Sequence, residues 1–184
     1  MARLLFSQYQ KEQLPEVAER LKRDYYMVLY ELTRDAAVHI KELLQDKVET
    51  SRKKYLEICA EFIESISQHV RFSVASLIPY VLDLAQKAEG GFNCNECGGQ
   101  CPWEQESSIA ELLRHHDQLR MLQLRLQQTG KPLYLESRQP LPWKILRNEI
   151  VILDTAISEL CYLEESTLIP KILDAEQKIN APVR

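Results

Sequence analysis

The sequence predicts an all-α protein, an antiparallel up-down four-helix bundle formed by one domain over residues 1–184. All five glycines fall between residues 90 and 130, so the long stretches on either side lack the residue that most weakens a helix interior. Apolar residues recur with helical rather than alternating periodicity, and strand patterns are nearly absent. The length of 184 residues suits a single domain with one sizeable core.

Four long helical segments and two breaks follow from this pattern. Residues 1–14 are predicted to form a short lead-in, and Pro15 suits the first position of a helix. A loop with the sequence GGFNCNECGGQCPW occupies residues 90–103, and Gly130 is expected to end the third helix. The predicted helices span residues 15–46, 50–88, 104–129 and 144–178.

Two prolines lie late inside the second and fourth helical segments. Pro79 occurs in SLIPYVL and Pro170 occurs in TLIPKIL, so each follows an isoleucine in an otherwise apolar pattern. Because proline has no N–H to donate and its ring crowds the preceding turn, each is expected to kink or interrupt its helix. The parallel between the two segments predicts related local structure.

Composition and charge exclude several classes of function. The chain has 23 Lys+Arg and 27 Asp+Glu, a net charge of −4, so it lacks the basic surface that a nucleic-acid partner requires. It contains no apolar run of about 18 residues that would span a membrane. The N-terminal sequence lacks the apolar core and cleavage site of a signal peptide, so we expect a cytoplasmic protein.

Each predicted helix places one metal-capable side chain on its apolar stripe. A buried lone carboxylate costs several kcal/mol unless it is paired, protonated or bound to a metal. Three imidazoles and one carboxylate would form a complete ligand set for iron or zinc. The four candidate ligands are His39, His69, His116 and Glu164.

The same residues also allow a reading without a metal. Each histidine could be an ordinary core residue with protein partners, and Glu164 could pair with an arginine such as Arg120. By helical phase, His115 and Glu165 are expected to point away from the two stripes that carry His116 and Glu164.

The second and fourth helices carry the motif that resembles a known family. Hemerythrin-like (HHE) cation-binding domains, including bacterial iron–sulfur-cluster repair proteins, have a His-x-x-x-Glu pair on each of these helices, with a proline six residues after the Glu. Here His69 and Pro79 match on the second helix, where Ser73 stands in place of the Glu. On the fourth helix Glu164 and Pro170 match, and the position of the histidine is occupied by Leu160.

The resemblance extends over about residues 25–175. The segment HHDQLRM resembles the start of the third helix in the family and implies that His116 is a ligand, and VHIKELL resembles the first-helix segment and implies the same for His39. The family holds a non-haem di-iron centre in a four-helix bundle. Because Ser73 and Leu160 replace two ligands, the resemblance implies one metal ion, expected to be iron, rather than a complete di-iron pair.

The resemblance implies a role in iron handling, in redox or NO/O2 stress sensing, or in Fe–S cluster repair, with O2, NO or a peroxide at an open coordination position. The alternative is a bundle without metal that serves as a regulatory or protein-interaction module, with a protein partner or a second copy of the chain. An oxidase or peroxidase activity is a third reading, and whether the protein is an enzyme stays open. No Ser-His-Asp constellation or glycine-rich phosphate loop indicates a hydrolase or a nucleotide-dependent enzyme.

The cysteine-rich loop has the spacing Cys94-x2-Cys97-x3-Cys101. In a reducing cytosol this clustering favours metal or redox chemistry over a structural disulfide framework. Three thiolates could bind zinc with a fourth ligand, nucleate an Fe–S cluster, or include a redox disulfide, and a loop of free thiols is the remaining alternative. The candidates for a fourth ligand are Cys59, Cys161, His115 and a residue of a partner.

Overall fold

The computed structural model describes residues 2–45, 49–90, 102–135 and 139–180, and every regular element within these ranges is helical. The predicted lead-in is largely a helix, α1 (Ala2–Lys11). Lys171 anchors the end of this helix, because its ammonium group donates to the carbonyl oxygens of Gln10 and Glu12. The predicted lead-in before the first long helix thus contains a helix of its own.

Four long helices, which we call A to D, make up the rest of the described chain. Three of them contain one π-helical turn each, labelled π1 to π3. Helix A comprises α2 (Leu14–Leu21), π1 (Lys22–Tyr26) and α3 (Met27–Gln45). Helix B comprises α4 (Thr50–Phe72), π2 (Ser73–Leu77) and α5 (Ile78–Ala88). Helix C is α6 (Pro102–Tyr134), and helix D comprises α7 (Leu141–Leu163), π3 (Glu164–Leu168) and α8 (Ile169–Asn180).

Helix A packs against helices B and D, and helix B also packs against helix C. The early part of helix A contacts the late part of helix B, and the late part of helix A contacts the early part of helix B. The all-α class with four long helices is thus confirmed, and these contacts are compatible with the predicted antiparallel bundle. The core includes a fully buried leucine from every helix, each contributing about 2 kcal/mol: Leu29, Leu56, Leu112 and Leu153.

Helix C continues beyond its predicted end at Gly130. A Cβ atom on Gly130 would lie 2.9 Å from the Tyr134 ring and 3.0 Å from the Tyr55 ring. The two tyrosine hydroxyl oxygens are 2.5 Å apart and share a hydrogen bond. The glycine therefore makes room for a close contact between helices B and C, and it does not end the helix as predicted.

The π turns lie where the helices were expected to be interrupted. In a π turn the N–H bonds to a carbonyl five residues earlier, as Ile169 does to Glu164. Pro79 and Pro170 lie two residues after the ends of π2 and π3, where the wider turn accommodates a residue that cannot donate. Helix A has a π turn without a following proline, so proline is not required for it.

None of the described helices combines the length and the apolar character needed to cross a membrane.

Candidate metal centre

The centre of the site is the Glu164 carboxylate, which lies fully buried at the first position of π3. Its Oε1 accepts a hydrogen bond of 2.6 Å from the Tyr26 hydroxyl. Its Oε2 lies 2.7 Å from Nε2 of His116 and 3.2 Å from Nε2 of His69. One carboxylate oxygen is thus faced by two imidazole nitrogens at the same time.

Three helices position the three metal-capable side chains. His69 lies in the last turn of α4, His116 lies within helix C, and Glu164 begins the π turn of helix D. All three are completely shielded from solvent, and one ligand atom from each lies within 4.8 Å of the others. This group could hold a metal ion.

His69 lacks normal polar partners in its buried position. Neither of its ring nitrogens makes a hydrogen bond, although Nε2 is within ion-pair distance of Glu164. Its ring lies 5.4 Å from the His116 ring and 6.3 Å from the Tyr26 ring, centroid to centroid. A buried polar group without a hydrogen bond costs about 1–3 kcal/mol, and a cation at Nε2 would satisfy one of the two nitrogens.

The tautomer of His116 follows from its contact with Glu165. Nδ1 of His116 lies 2.7 Å from Oε1 of Glu165, and a carboxylate can only accept, so Nδ1 donates. In the protonated ring, Nε2 also carries a proton and donates it to Glu164. In the neutral ring, Nε2 carries a lone pair that can bind a metal. A carboxylate behind a histidine is the usual arrangement at metal sites, where it fixes the ring and raises its basicity.

The charges of the metal-free site follow from burial and from the close contacts. Burial disfavours the charged forms of both His116 and Glu164. Contacts with Cys161 and Glu164 outweigh burial and raise the pKa of His116 to about 10. Electrostatic attraction to His69 and the hydrogen bond from His116 likewise outweigh burial and lower the pKa of Glu164 to about 2. Burial and the Glu164 carboxylate raise the pKa of Tyr26 well above its ordinary value, so its hydroxyl stays a donor.

The structure brings His69, His116 and Glu164 together but does not add His39. Nδ1 of His39 lies 2.7 Å from Oε1 of Glu149, and the histidine side chain is 37% exposed. His39 is 13 residues beyond Tyr26 on helix A, or about 20 Å along the axis at 1.5 Å per residue. Helical phase predicts the face of a residue but not its level, and at the level of the site helix A supplies Tyr26.

A signal for Tyr26 was present in the sequence. A buried stripe starts at Tyr26 and continues, in steps of three, seven and four residues, through Leu29, Ala36 and Ile40. On this stripe His39 falls at the edge, which explains its partial exposure.

Three expectations about neighbouring residues are corrected. Arg120 donates to Glu165 and not to Glu164. Glu165 does not face away, because it accepts from His116. His115 is buried as well, with its ring 5.2 Å from the Phe72 ring and 5.9 Å from the His69 ring, centroid to centroid.

The predicted cysteine site at Cys94, Cys97 and Cys101 lies outside the described residues. Of the candidates for its fourth ligand, Cys59 is fully buried, and burial raises the pKa of its thiol to about 12. Cys161 is also buried, and burial raises the pKa of its thiol. The neighbouring His116 lowers this pKa by less, so it stays above the ordinary value.

Fold and site together define an all-helical protein with a buried two-histidine, one-carboxylate group. This donor set is found at non-haem Fe(II) sites and at zinc sites that keep coordination positions open. Comparisons with protein-family models, with curated proteins and with solved structures find no match.

Proposed function

We propose that the protein is a metal-binding four-helix bundle of the hemerythrin-like class that holds one iron ion through His69, His116 and Glu164. The observation that carries the proposal is the fully buried His69 ring, which faces the Glu164 carboxylate and has no hydrogen bond at either nitrogen. We further propose a cytoplasmic role in iron handling, in redox or NO/O2 stress sensing, or in Fe–S cluster repair.

The residues around the three ligands have defined tasks in this proposal. Tyr26 holds Oε1 of Glu164, so that Oε2 is directed at the two imidazoles. Glu165 fixes the His116 ring with its Nε2 toward the same point. Iron held by two histidines and one carboxylate supplies open coordination positions at which a small molecule such as O2 or NO binds.

One ion rather than two is supported by the residues at the two unmatched positions of the motif. Ser73 offers only a short hydroxyl, a weak ligand for iron, and its oxygen makes no hydrogen bond of normal geometry. Leu160 is fully buried and cannot bind a metal. A second ion would therefore lack the carboxylate and the histidine that the resembled di-iron centre uses.

Metal analysis of the intact chain tests the proposal. Protein purified anaerobically without chelators, or reconstituted with Fe(II), is expected to hold about one equivalent of iron, and His69→Ala is expected to lose it. His39→Ala is the matched control and is expected to keep the iron, because His39 pairs with Glu149 away from the site. Less than about a tenth of an equivalent in the wild-type protein after reconstitution would contradict the proposal.

A second candidate function is supported by the hydrogen bonds of Glu164. Tyr26 and protonated His116 satisfy this carboxylate without a metal, as a regulatory or protein-interaction module would require. In that case the cysteine loop would be the only metal or redox element, as a zinc or Fe–S site. Two variants distinguish the candidate functions. If the second function is correct, Cys97→Ala, and not His69→Ala, removes the bound metal.

A further inference from the structure

A line of polar contacts connects the buried centre with the protein surface. Oε1 of Glu165 lies 2.7 Å from Nδ1 of His116 and also accepts from Arg120. Arg120 in turn donates to Asp117 at 3.2 Å. The exposed fraction of the side chains rises outward, from 0% for His116 through 33% for Glu165 to 51% for Arg120.

We propose that Glu165 and Arg120 are positioning residues that set the metal affinity of the buried centre from the protein surface. This inference rests on the proposed metal binding by His69, His116 and Glu164. Nδ1 of His116 donates to Glu165, so Nε2, the nitrogen that faces Glu164, is the one left to bind a metal ion. The negative charge of Glu165 also makes the ring a stronger donor to a cation.

Arg120 acts through Glu165, because the same carboxylate oxygen, Oε1, accepts from both His116 and Arg120. Glu165 is one-third exposed, so without the guanidinium its carboxylate is free to turn toward water. An exposed ion pair by itself contributes little to stability. Here we expect the ion pair to affect metal affinity, because Arg120 holds the Glu165 carboxylate that orients the His116 ring.

Helix C provides a matched control for the Arg120 contact. Arg125 pairs with Glu61 at 2.6 Å, and the two side chains are 47% and 51% exposed. This ion pair also joins helix C to a neighbouring helix, but it contacts none of the three ligands. Loss of the Arg125–Glu61 pair would therefore show how much metal affinity changes when an exposed ion pair between two helices is removed without any contact to His116.

The test measures the Zn²⁺ affinity of the full chain, after metal removal, by competition with a chromophoric chelator. Every protein compared, including the one called wild type, carries serine at Cys94, Cys97 and Cys101, so that the cysteine loop does not contribute. Glu165→Gln is expected to weaken binding about 10- to 100-fold, as is usual for residues that orient a metal ligand. Arg120→Gln is expected to weaken it less, and Arg120→Lys to recover part of the loss. Arg125→Gln and Glu61→Gln are expected to bind Zn²⁺ like the wild type.

A double variant separates positioning from an independent charge effect. If Arg120 acts only through Glu165, then Arg120→Gln has no further effect in the Glu165→Gln protein, and the two changes are not additive. Additive losses, or a Glu165→Gln affinity equal to that of the wild type, would overturn this inference and leave the proposed function intact. A wild-type chain without any Zn²⁺ or iron site would contradict both, and circular dichroism checks that each variant remains helical.

Discussion

Residues 69–79 of helix B and residues 160–170 of helix D share one backbone design. Each segment contains a π turn followed by an isoleucine and a proline. The leucine that ends each π turn, Leu77 or Leu168, is fully buried, and Pro79 and Pro170 are both exposed. Two helices thus present the same frame to the centre of the protein.

The chemistry of the two segments is complementary. Helix B has His69 where helix D has Leu160, and it has Ser73 where helix D has Glu164. One segment supplies an imidazole and the other a carboxylate, and together with His116 they form one group that could hold a metal ion. The comparison shows that the backbone frame and the ligands it carries are separable, so each can be altered without the other.

The largest expected difference is between Glu164→Ala and Ser73→Ala in the metal-free protein. Loss of Glu164 leaves the hydroxyl of Tyr26 and the Nε2 of His116 buried without an acceptor, so we expect a loss of about 3–5 kcal/mol in the free energy of unfolding. Ser73→Ala removes a hydroxyl that has no hydrogen bond, and we expect a change within about 1 kcal/mol. Urea denaturation measures both, and equal losses would show that the two positions are not chemically distinct.

The same pair of variants differs in the pH dependence of stability. The pKa of His116 is raised from 6.5 to about 10, so its contribution is complete below pH 6.5 and is lost as the pH rises toward 10. The pKa of Glu164 is lowered from 4.5 to about 2, so its contribution is complete above pH 4.5 and is lost as the pH falls toward 2. Metal-free wild-type protein and Ser73→Ala are expected to show both losses. Glu164→Ala is expected to lack the acid loss and to keep only the part of the alkaline loss that comes from the contact of His116 with Cys161. Denaturation between pH 3 and pH 9, about the range that buffers cover well, checks this.

A smaller difference is expected where the two segments are alike. Leu77→Ala and Leu168→Ala each empty a fully buried position at the end of a π turn, so each should cost about 2–5 kcal/mol. The two losses should agree within about 1 kcal/mol, because the leucines have equivalent places in the shared frame. Thermal or urea denaturation measures them, and a much larger gap would mean that the two turns pack differently.

The smallest effect is expected for the two prolines. Pro79→Ala and Pro170→Ala alter exposed positions, and alanine mainly increases the freedom of the unfolded chain, so each should lower stability by about 0.4–1 kcal/mol. A substantially larger loss in either variant would show that proline is needed to maintain the π turn. The π turn of helix A, which has no following proline, argues for the smaller value.

Periodicity predicted the helices and three of the site residues, because a spacing of 3.6 identifies the face of a helix that packs inward. His69, His116 and Glu164 were found in this way. His39 was not excluded, because the same face continues for the whole length of the helix while the site occupies one level of it. Tyr26 was missed because a tyrosine on an apolar stripe resembles an ordinary packing residue.

Contacts made by the ends of long side chains could not be predicted from phase. Glu165 follows Glu164, and its side chain starts about 100° further around the helix axis. Its carboxylate still reaches Nδ1 of His116. The length of helix C was also underestimated, because Gly130 serves a contact between two tyrosines and the sequence offers no sign of which residues oppose it. Such features depend on how neighbouring helices are placed, and a single sequence does not contain that placement.

The π turns also affect how helices A, B and D tolerate changes in length. Because a π turn closes over five residues instead of four, it holds one residue more than the same stretch of α-helix. Deleting Ser166 from π3 would let an ordinary α-turn form and leave the core register of α8 in place. A deletion two turns earlier, in α7, would rotate all later residues by about 100° and carry Ile172 out of the core.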